Sequence, residues 1–345
     1  MTMEQYWAER QERALNRITN KTEKEINAQL DKYYMSLMKQ VIADFEATYD
    51  KLISTIGSGN PITVADLYKL DRYWQLQSKL KVLCEQLGNK EVELLSKKFE
   101  EQWEEIYKKA ALPSDDAFTI PSESNAQQMI NSIWCADGKT WSQRVWKNTN
   151  TLIDTLNEQL INVVVTGKST RDLRKALQER FSVSRNQANM LIRTEINHIQ
   201  TASAAKRYED AGLKKYMIMG REEGKCQHGK KKRGIDCHDM DGKVFEYTDM
   251  RVGKNAPPFH PNCRCRIKPV MDNEFLQKRS EENRKKEQEK RAKQREALEL
   301  KAQAEQLRAQ AQKAKVDGNK ELAKKLEAEA RILEQKYKRI FAEIR

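Results

Sequence analysis

Apolar residues in the first third of the chain recur every three or four positions, the spacing that gathers them on one side of an α-helix. Tyr33, Leu37, Val41, Phe45, Tyr49 and Leu52 make one continuous stripe, so Glu4 to Ile56 reads as one or two long helices. Ser58-Gly59-Asn60-Pro61 reads as a turn. A second helical run opens at Val64 and carries Leu67, Tyr68, Leu70, Tyr73, Trp74 and Leu76, and Leu83 to Tyr107 reads as a third. The Tyr and Trp residues of these runs are read as helix packing. Residues 1–112 are therefore expected to form a helical N-terminal domain. Pro113-Ser114-Asp115-Asp116 and Pro121-Ser122-Glu123-Ser124 bracket a linker at 113–124.

The helical period resumes through Trp141, Val145, Leu152, Leu156, Leu160 and Val164. Gly167 stops that helix, Ser169 caps a next one running to Phe181, and Ser184 caps another carrying Ala188, Leu191, Ile192, Ile196 and Ile199. Gly212 ends the run. The pattern then changes. Tyr216–Met219, Lys243–Tyr247 and Arg264–Ile267 are short strand candidates in a stretch crowded with glycine, so 216–270 reads as a small α+β module closing a domain at 125–271.

Beyond Pro269 the composition is different again. Residues 274–345 hold 21 basic and 14 acidic side chains, no proline and one glycine. Leu300, Ala304, Leu307, Ala311 and Ala314 step by four and three, Asp317-Gly318-Asn319 interrupts, and Leu326, Ala330, Leu333, Tyr337, Ile340 and Ile344 resume. Each seam is short, so the extension 272–345 reads as a charged antiparallel helical hairpin turning at Gly318, with coiled-coil character. The residues before Leu298 lack a seam and read as solvated helix or disorder. The fold class expected is mainly α.

Net charge is +13 on 345 residues, with 33% charged and 38% apolar side chains. A surplus of that sign suits polyanions such as DNA, or an acidic protein surface. No run of apolar residues is long enough for a membrane-spanning helix. Met1–Arg10 holds Glu4 and Glu9 and no apolar core, so no signal peptide is expected there. Six cysteines in so long a chain are too few for a disulfide scaffold and favour a reducing compartment.

Four of those cysteines, Cys226, Cys237, Cys263 and Cys265, lie within the small module together with His228, His238 and His260. Thiolates are soft donors, and a tetrahedral zinc would supply the folding free energy that a small, weakly apolar module lacks. Structural zinc held by Cys226, Cys237, His260, Cys263 and Cys265, or by four of these, is the favoured reading. One or two disulfides, or reduced buried thiols, remain the alternatives. Lys230-Lys231-Lys232-Arg233 is either a solvated loop or a contact for nucleic-acid phosphates. Asp239, Asp241 and Glu195 form no recognisable nucleophile–base set, and there is no P-loop or GxSxG, so no catalytic residue is expected. His198 reads as a packed or surface histidine, and Cys84 and Cys135 as core. A zinc-dependent nuclease or toxin built on the Cys/His module is the rival from a different class.

Several segments resemble the Mu F-like head-morphogenesis family of tailed-phage minor head proteins. They are Tyr6-Trp7-Ala8-Glu9-Arg10, Arg193-Thr194-Glu195, Asp241-Gly242-Lys243-Val244-Phe245 and Pro257-Pro258-Phe259-His260-Pro261-Asn262-Cys263-Arg264-Cys265. Trp146-Lys147-Asn148-Thr149 and the Gly167-Lys168-Ser169 turn also fit. The resemblance spans about residues 1–271 and leaves the hairpin outside. It implies a minor capsid component inside the phage head, present in host cytoplasm during assembly, that associates with portal protein, scaffold or major capsid protein, and double-stranded DNA without sequence preference. Such proteins can leave with the genome, and they require no membrane. The family arrangement places a CxxC before DGKVF. Here Cys237 matches its second cysteine, while Gly234 stands at the first, so His238 or His228 could substitute.

Overall fold

The computed structural model describes residues 3–56, 63–68, 71–110, 123–135, 137–166, 168–220, 237, 239–271 and 273–344. These form two compact units, Met1–Met271 and Asp272–Arg345.

Four helices build most of the first unit. They are α1 (Met3–Ile56), α3 (Asp71–Lys109), α5 (Trp141–Val165) and α6 (Thr170–Asp210), with two short helices, α2 (Val64–Tyr68) and α4 (Glu123–Ile130), between them. The predicted stripe of α1 is its buried face. Leu37, Val41, Phe45 and Tyr49 are in the core with Ile26, Leu30 and Tyr34, whereas Tyr33 is only partly covered. The helix runs antiparallel to α3, as Asp44 meets Lys79 (2.7 Å) and Glu25 meets Lys98 (2.8 Å). It is also antiparallel to α6, which sends Arg174, Arg185 and Arg193 to Glu46, Asp31 and Glu23. Such surface pairs contribute about 0–1 kcal/mol each and set register more than stability.

The helices are longer than the sequence suggests at two places. Asp71 to Lys109 is a single helix, so no break separates the runs ending at Leu76 and beginning at Leu83. Gly88 sits in its interior because α5 comes close there: a Cβ at that position would stand 2.9 Å from Thr149 Oγ1 and 3.0 Å from the Trp146 ring. Tyr73 is fully buried as helix packing requires, but Trp74 is 50% exposed and stacks on Tyr68 instead. In α6, Ser169 is the N-cap, sharing a capping box with Asp172. Ser184 is not a cap. It lies buried in mid-helix, where its hydroxyl meets the Tyr34 hydroxyl at 3.3 Å, so a tertiary partner takes the group that would otherwise compete for backbone. Gly212 follows the helix end with φ +84°, the left-handed conformation that glycine tolerates.

A three-stranded antiparallel sheet follows, ordered β2-β1-β3, from β1 (Lys215–Met219), β2 (Val244–Glu246) and β3 (Arg266–Val270). Strand β3 starts two residues later than predicted and includes Pro269, paired with Tyr216. β3 is an edge strand, so the missing N–H of proline can point away from β1 without breaking the ladder.

The second unit is the predicted hairpin, with α7 (Asn273–Val316) and α8 (Lys320–Ile344) joined at Gly318, φ +82°. The stretch before Leu298 is helical and almost wholly exposed. No described helix is long and apolar enough to cross a membrane.

Candidate functional site

The centre of the first unit is the C-terminal half of α6. Residues 194–205 are buried on every side, yet they include Thr194, Glu195, Asn197, His198, Gln200, Thr201 and Ser203. Burying a polar group without a partner costs about 1–3 kcal/mol, so such density in a core helix is informative only through its partners.

One set of partners is the Pro257–Cys265 loop. Thr194 Oγ1 accepts the backbone N–H of Asn262 (3.0 Å), and Asn197 Nδ2 donates to the Cys263 carbonyl (2.8 Å). Asn262 adopts φ 61°, a conformation asparagine reaches more readily than most residues. Arg266, at the start of β3, then ties three segments together. It donates to Asn16 Oδ1 on α1 (3.1 Å), to Asn197 Oδ1 on α6, and to the Cys265 carbonyl (3.1 Å). Desolvation lowers its pKa to about 10, which leaves it charged at neutral pH.

The loop places the cysteines side by side. Cys237, Cys263 and Cys265 are buried and free. The Cys263 and Cys265 thiols hydrogen-bond each other, which favours the thiolate at Cys263 and disfavours it at Cys265. His260 also hydrogen-bonds Cys263, and Cys237 hydrogen-bonds Cys265. Four of the five predicted metal ligands are thus neighbours, and their soft thiols and imidazole suit zinc chemically. They meet as a chain of pairs: among the described residues, no three Cys, His, Asp or Glu side chains converge on one metal position. Cys226, His228 and His238 lie outside the described residues, as do Lys230, Lys231, Lys232 and Arg233 of the predicted phosphate contact.

Asp241, which the nuclease reading would use, has a structural task. Its Oδ1 accepts the Gly220 N–H at 2.6 Å, and a Cβ on Gly220 would stand 2.9 Å from the Asp241 Cβ. Gly242 turns with φ +74° into β2. The DGKVF segment is therefore a latch between the ends of β1 and β2.

The other face of α6 meets the 131–140 loop and the start of α5. Arg144 Nη1 donates to Glu195 Oε1 (2.7 Å), and its Nε and Nη2 grip both oxygens of Asp137 (3.1 and 2.7 Å). Trp134 Nε1 donates to the second Glu195 oxygen at 3.0 Å. Burial raises the Glu195 pKa to about 7 even though Trp134 and Arg144 favour its anion. Hydrogen bonding from Arg144 pulls Asp137 down to about 2. His198 is packed as expected, stacked on Trp134 with centroids 4.7 Å apart, and burial lowers its pKa to about 3. Neither of its ring nitrogens has a partner among the described residues. Burial also lifts the half-covered Cys135 thiol to about 11, so it is not a ready nucleophile.

Sequence reasoning picked out Glu195 and His198 but missed Arg144, Asp137, Trp134, Asn197 and Arg266. The signal was the run of polar residues from Thr194 to Ser203 inside an otherwise regular helical pattern. A helix so placed must export hydrogen bonds on several faces.

Residues 154–268, from the middle of α5 through β3, match the model of the family described as Phage Mu protein F like protein. The chain carries a Mu F-like region. A protein of Haemophilus influenzae, described only as uncharacterized, is 25% identical over 130 residues, covering 37% of this chain and 27% of that protein. No solved structure gives a significant match. The Mu F-like region contains the interlock just described: α6, the Asp241 latch and the cysteine loop all fall inside it, and the α7–α8 hairpin falls outside.

Proposed function

We propose that this chain is a non-catalytic minor head protein that acts in head morphogenesis of a tailed phage, inside the head at the portal vertex. The observation that carries this reading is the Mu F-like match at 154–268, lying on a region whose polar groups are spent on holding segments together. Thr194, Asn197 and Arg266 bind the cysteine loop to α6 and α1, Asp241 closes the sheet, and Arg144 engages both nearby carboxylates. Groups used in this way make a rigid body for assembly with portal, scaffold or major capsid protein.

The positive balance of the chain suits contact with packaged DNA, with Lys230–Arg233 as its densest cluster. Such contact should be independent of sequence and should weaken steeply with salt, because each neutralised phosphate releases a counterion. Cys237, Cys263, Cys265 and His260, with Cys226, would hold a structural zinc that draws the paired donors into one shell. A bound zinc would supply folding free energy to the module and no reaction step.

Quantitative mass spectrometry of purified heads, comparing full and emptied particles, tests the central claim. A few copies per head, reduced after genome release, is the expected result and would also support ejection with DNA. Absence from particles would overturn the reading. Metal analysis of the purified chain tests the zinc: about one equivalent, lost in a Cys263→Ser/Cys265→Ser variant, is expected, and a metal-free wild type with an intact module would refute it.

A further inference from the structure

The hairpin of α7 and α8 has two unlike sides. Ala297, Ala304 and Ala311 on α7 and Ala323 and Ala330 on α8 repeat every seven residues and are all buried. On their side the helices are locked by charge, since Arg308 pairs with Glu334 (2.8 Å) and Lys315 with Glu327. Three residues after each heptad position the row is leucine or isoleucine: Leu300, Leu307, Leu326, Leu333 and Ile340. Every one of these is only half-buried. In a heptad the two core rows lie on opposite edges of the seam, so the alanines sit under the ion pairs and the larger side chains line the open edge.

We infer that this open edge is an interface with a second copy of the same hairpin, forming a four-helix bundle. Three observations favour a copy of this chain over a foreign partner. First, an alanine seam buries little apolar area per residue, so two helices closed only by alanines are weakly held without a further surface. Second, the area suits a dimer. The 25 residues of α8 make a rod about 37 Å long, and two such helices side by side offer a face of about 700 Å², close to the ~800 Å² per partner of a stable complex. Third, the flank of the open edge has no dominant sign. Exposed Gln303 and Gln310 border the leucine row on α7, and Glu329 and Lys336 border it on α8. A two-fold interface sets like surfaces against each other. Neutral flanks with one acid and one base meet that condition, and Glu329 of one copy can pair with Lys336 of the other. A surface selecting a foreign charged partner would carry a row of one sign. The inference concerns residues outside the Mu F-like match and stands independently of the head-protein reading.

Sedimentation of the full-length protein over a wide concentration series tests it. The expected result is a reversible rise from the 40.3 kDa chain to twice that mass, abolished by Leu307→Glu with Leu333→Glu. A wild type that stays monomeric throughout would overturn the inference and assign the edge to the rest of the chain or to another protein. So would undiminished association in the double variant. Should that variant lose helical signal, Gln303→Glu, Gln310→Glu and Lys336→Glu together leave both core rows intact and make the flank acidic. That variant should associate about tenfold more weakly or worse, and unchanged affinity would refute the proposed face.

Discussion

Replacing Glu195 with glutamine should change how the stability of the first unit depends on pH. In the folded protein Glu195 holds its proton up to about pH 7, against an ordinary value of 4.5. Between those limits the folded state binds more protons than the unfolded chain, so stability is greatest at the acid end and falls as pH rises through the window. Each pH unit of separation is worth about 1.36 kcal/mol, giving about 3.4 kcal/mol in all, of which about 2.5 kcal/mol falls between pH 5 and pH 8. Glutamine cannot accept from both Arg144 and Trp134, so Glu195→Gln loses one hydrogen bond, a cost of about 1–2 kcal/mol present at both pH values. The wild-type-minus-variant difference cancels that offset, and with it every other titrating group, including the buried Glu91 and His198. All six tryptophans lie in the first unit, so urea unfolding followed by tryptophan emission reports it without interference from the hairpin. The variant should gain about 2.5 kcal/mol on wild type between about pH 5 and about pH 8. Parallel pH profiles would refute the assignment of a buried, proton-holding carboxyl to Glu195, and a difference of opposite sign would mean that its Arg144 pair outweighs its burial.

Other expectations follow from single contacts. His198→Phe should stabilise the fold by about 1–3 kcal/mol, because two orphaned nitrogens are removed while the stack on Trp134 is kept. The same variant should resist acid better, since wild-type His198 stays neutral down to about pH 3 and its contribution is lost as pH falls from 6.5; calorimetry at several pH values checks both. Gly88→Ala should cost about 1–3 kcal/mol by pushing α3 off Thr149 and Trp146, read as a lower urea midpoint. Arg266→Ala should cost about 3 kcal/mol or more and open residues 239–271 to limited proteolysis, because Asn16, Asn197 and the Cys265 carbonyl all lose their donor.

Helices and the hairpin were legible because their signal is local. The stripe of α1 and the turn at Gly318 need only periodicity and a glycine. Where tertiary contacts override local chemistry, the reading failed. Ser184 has the chemistry of a cap, but Tyr34 across the bundle claims its hydroxyl. Nothing around Leu76–Leu83 compels a break, and the absence of proline or glycine there could have argued for the continuous α3. The cysteine neighbours Cys237, His260, Cys263 and Cys265 were foreseen from donor type and spacing. The supports of that loop were not, because Asn197 and Arg266 are sixty-nine residues apart and only the fold brings them together. Arg144 was missed for the same reason: an arginine in an amphipathic helix reads as solvated until a buried glutamate is found beneath it.

Pro269 has a consequence for how copies of this chain can meet. On β3 its ring nitrogen must face away from β1, so the outer rim of the sheet lacks an N–H where an added strand would need one. The rim therefore cannot template a neighbouring chain across that point. Crowded copies are barred from growing a shared sheet along β3, and contacts between them are left to side chains.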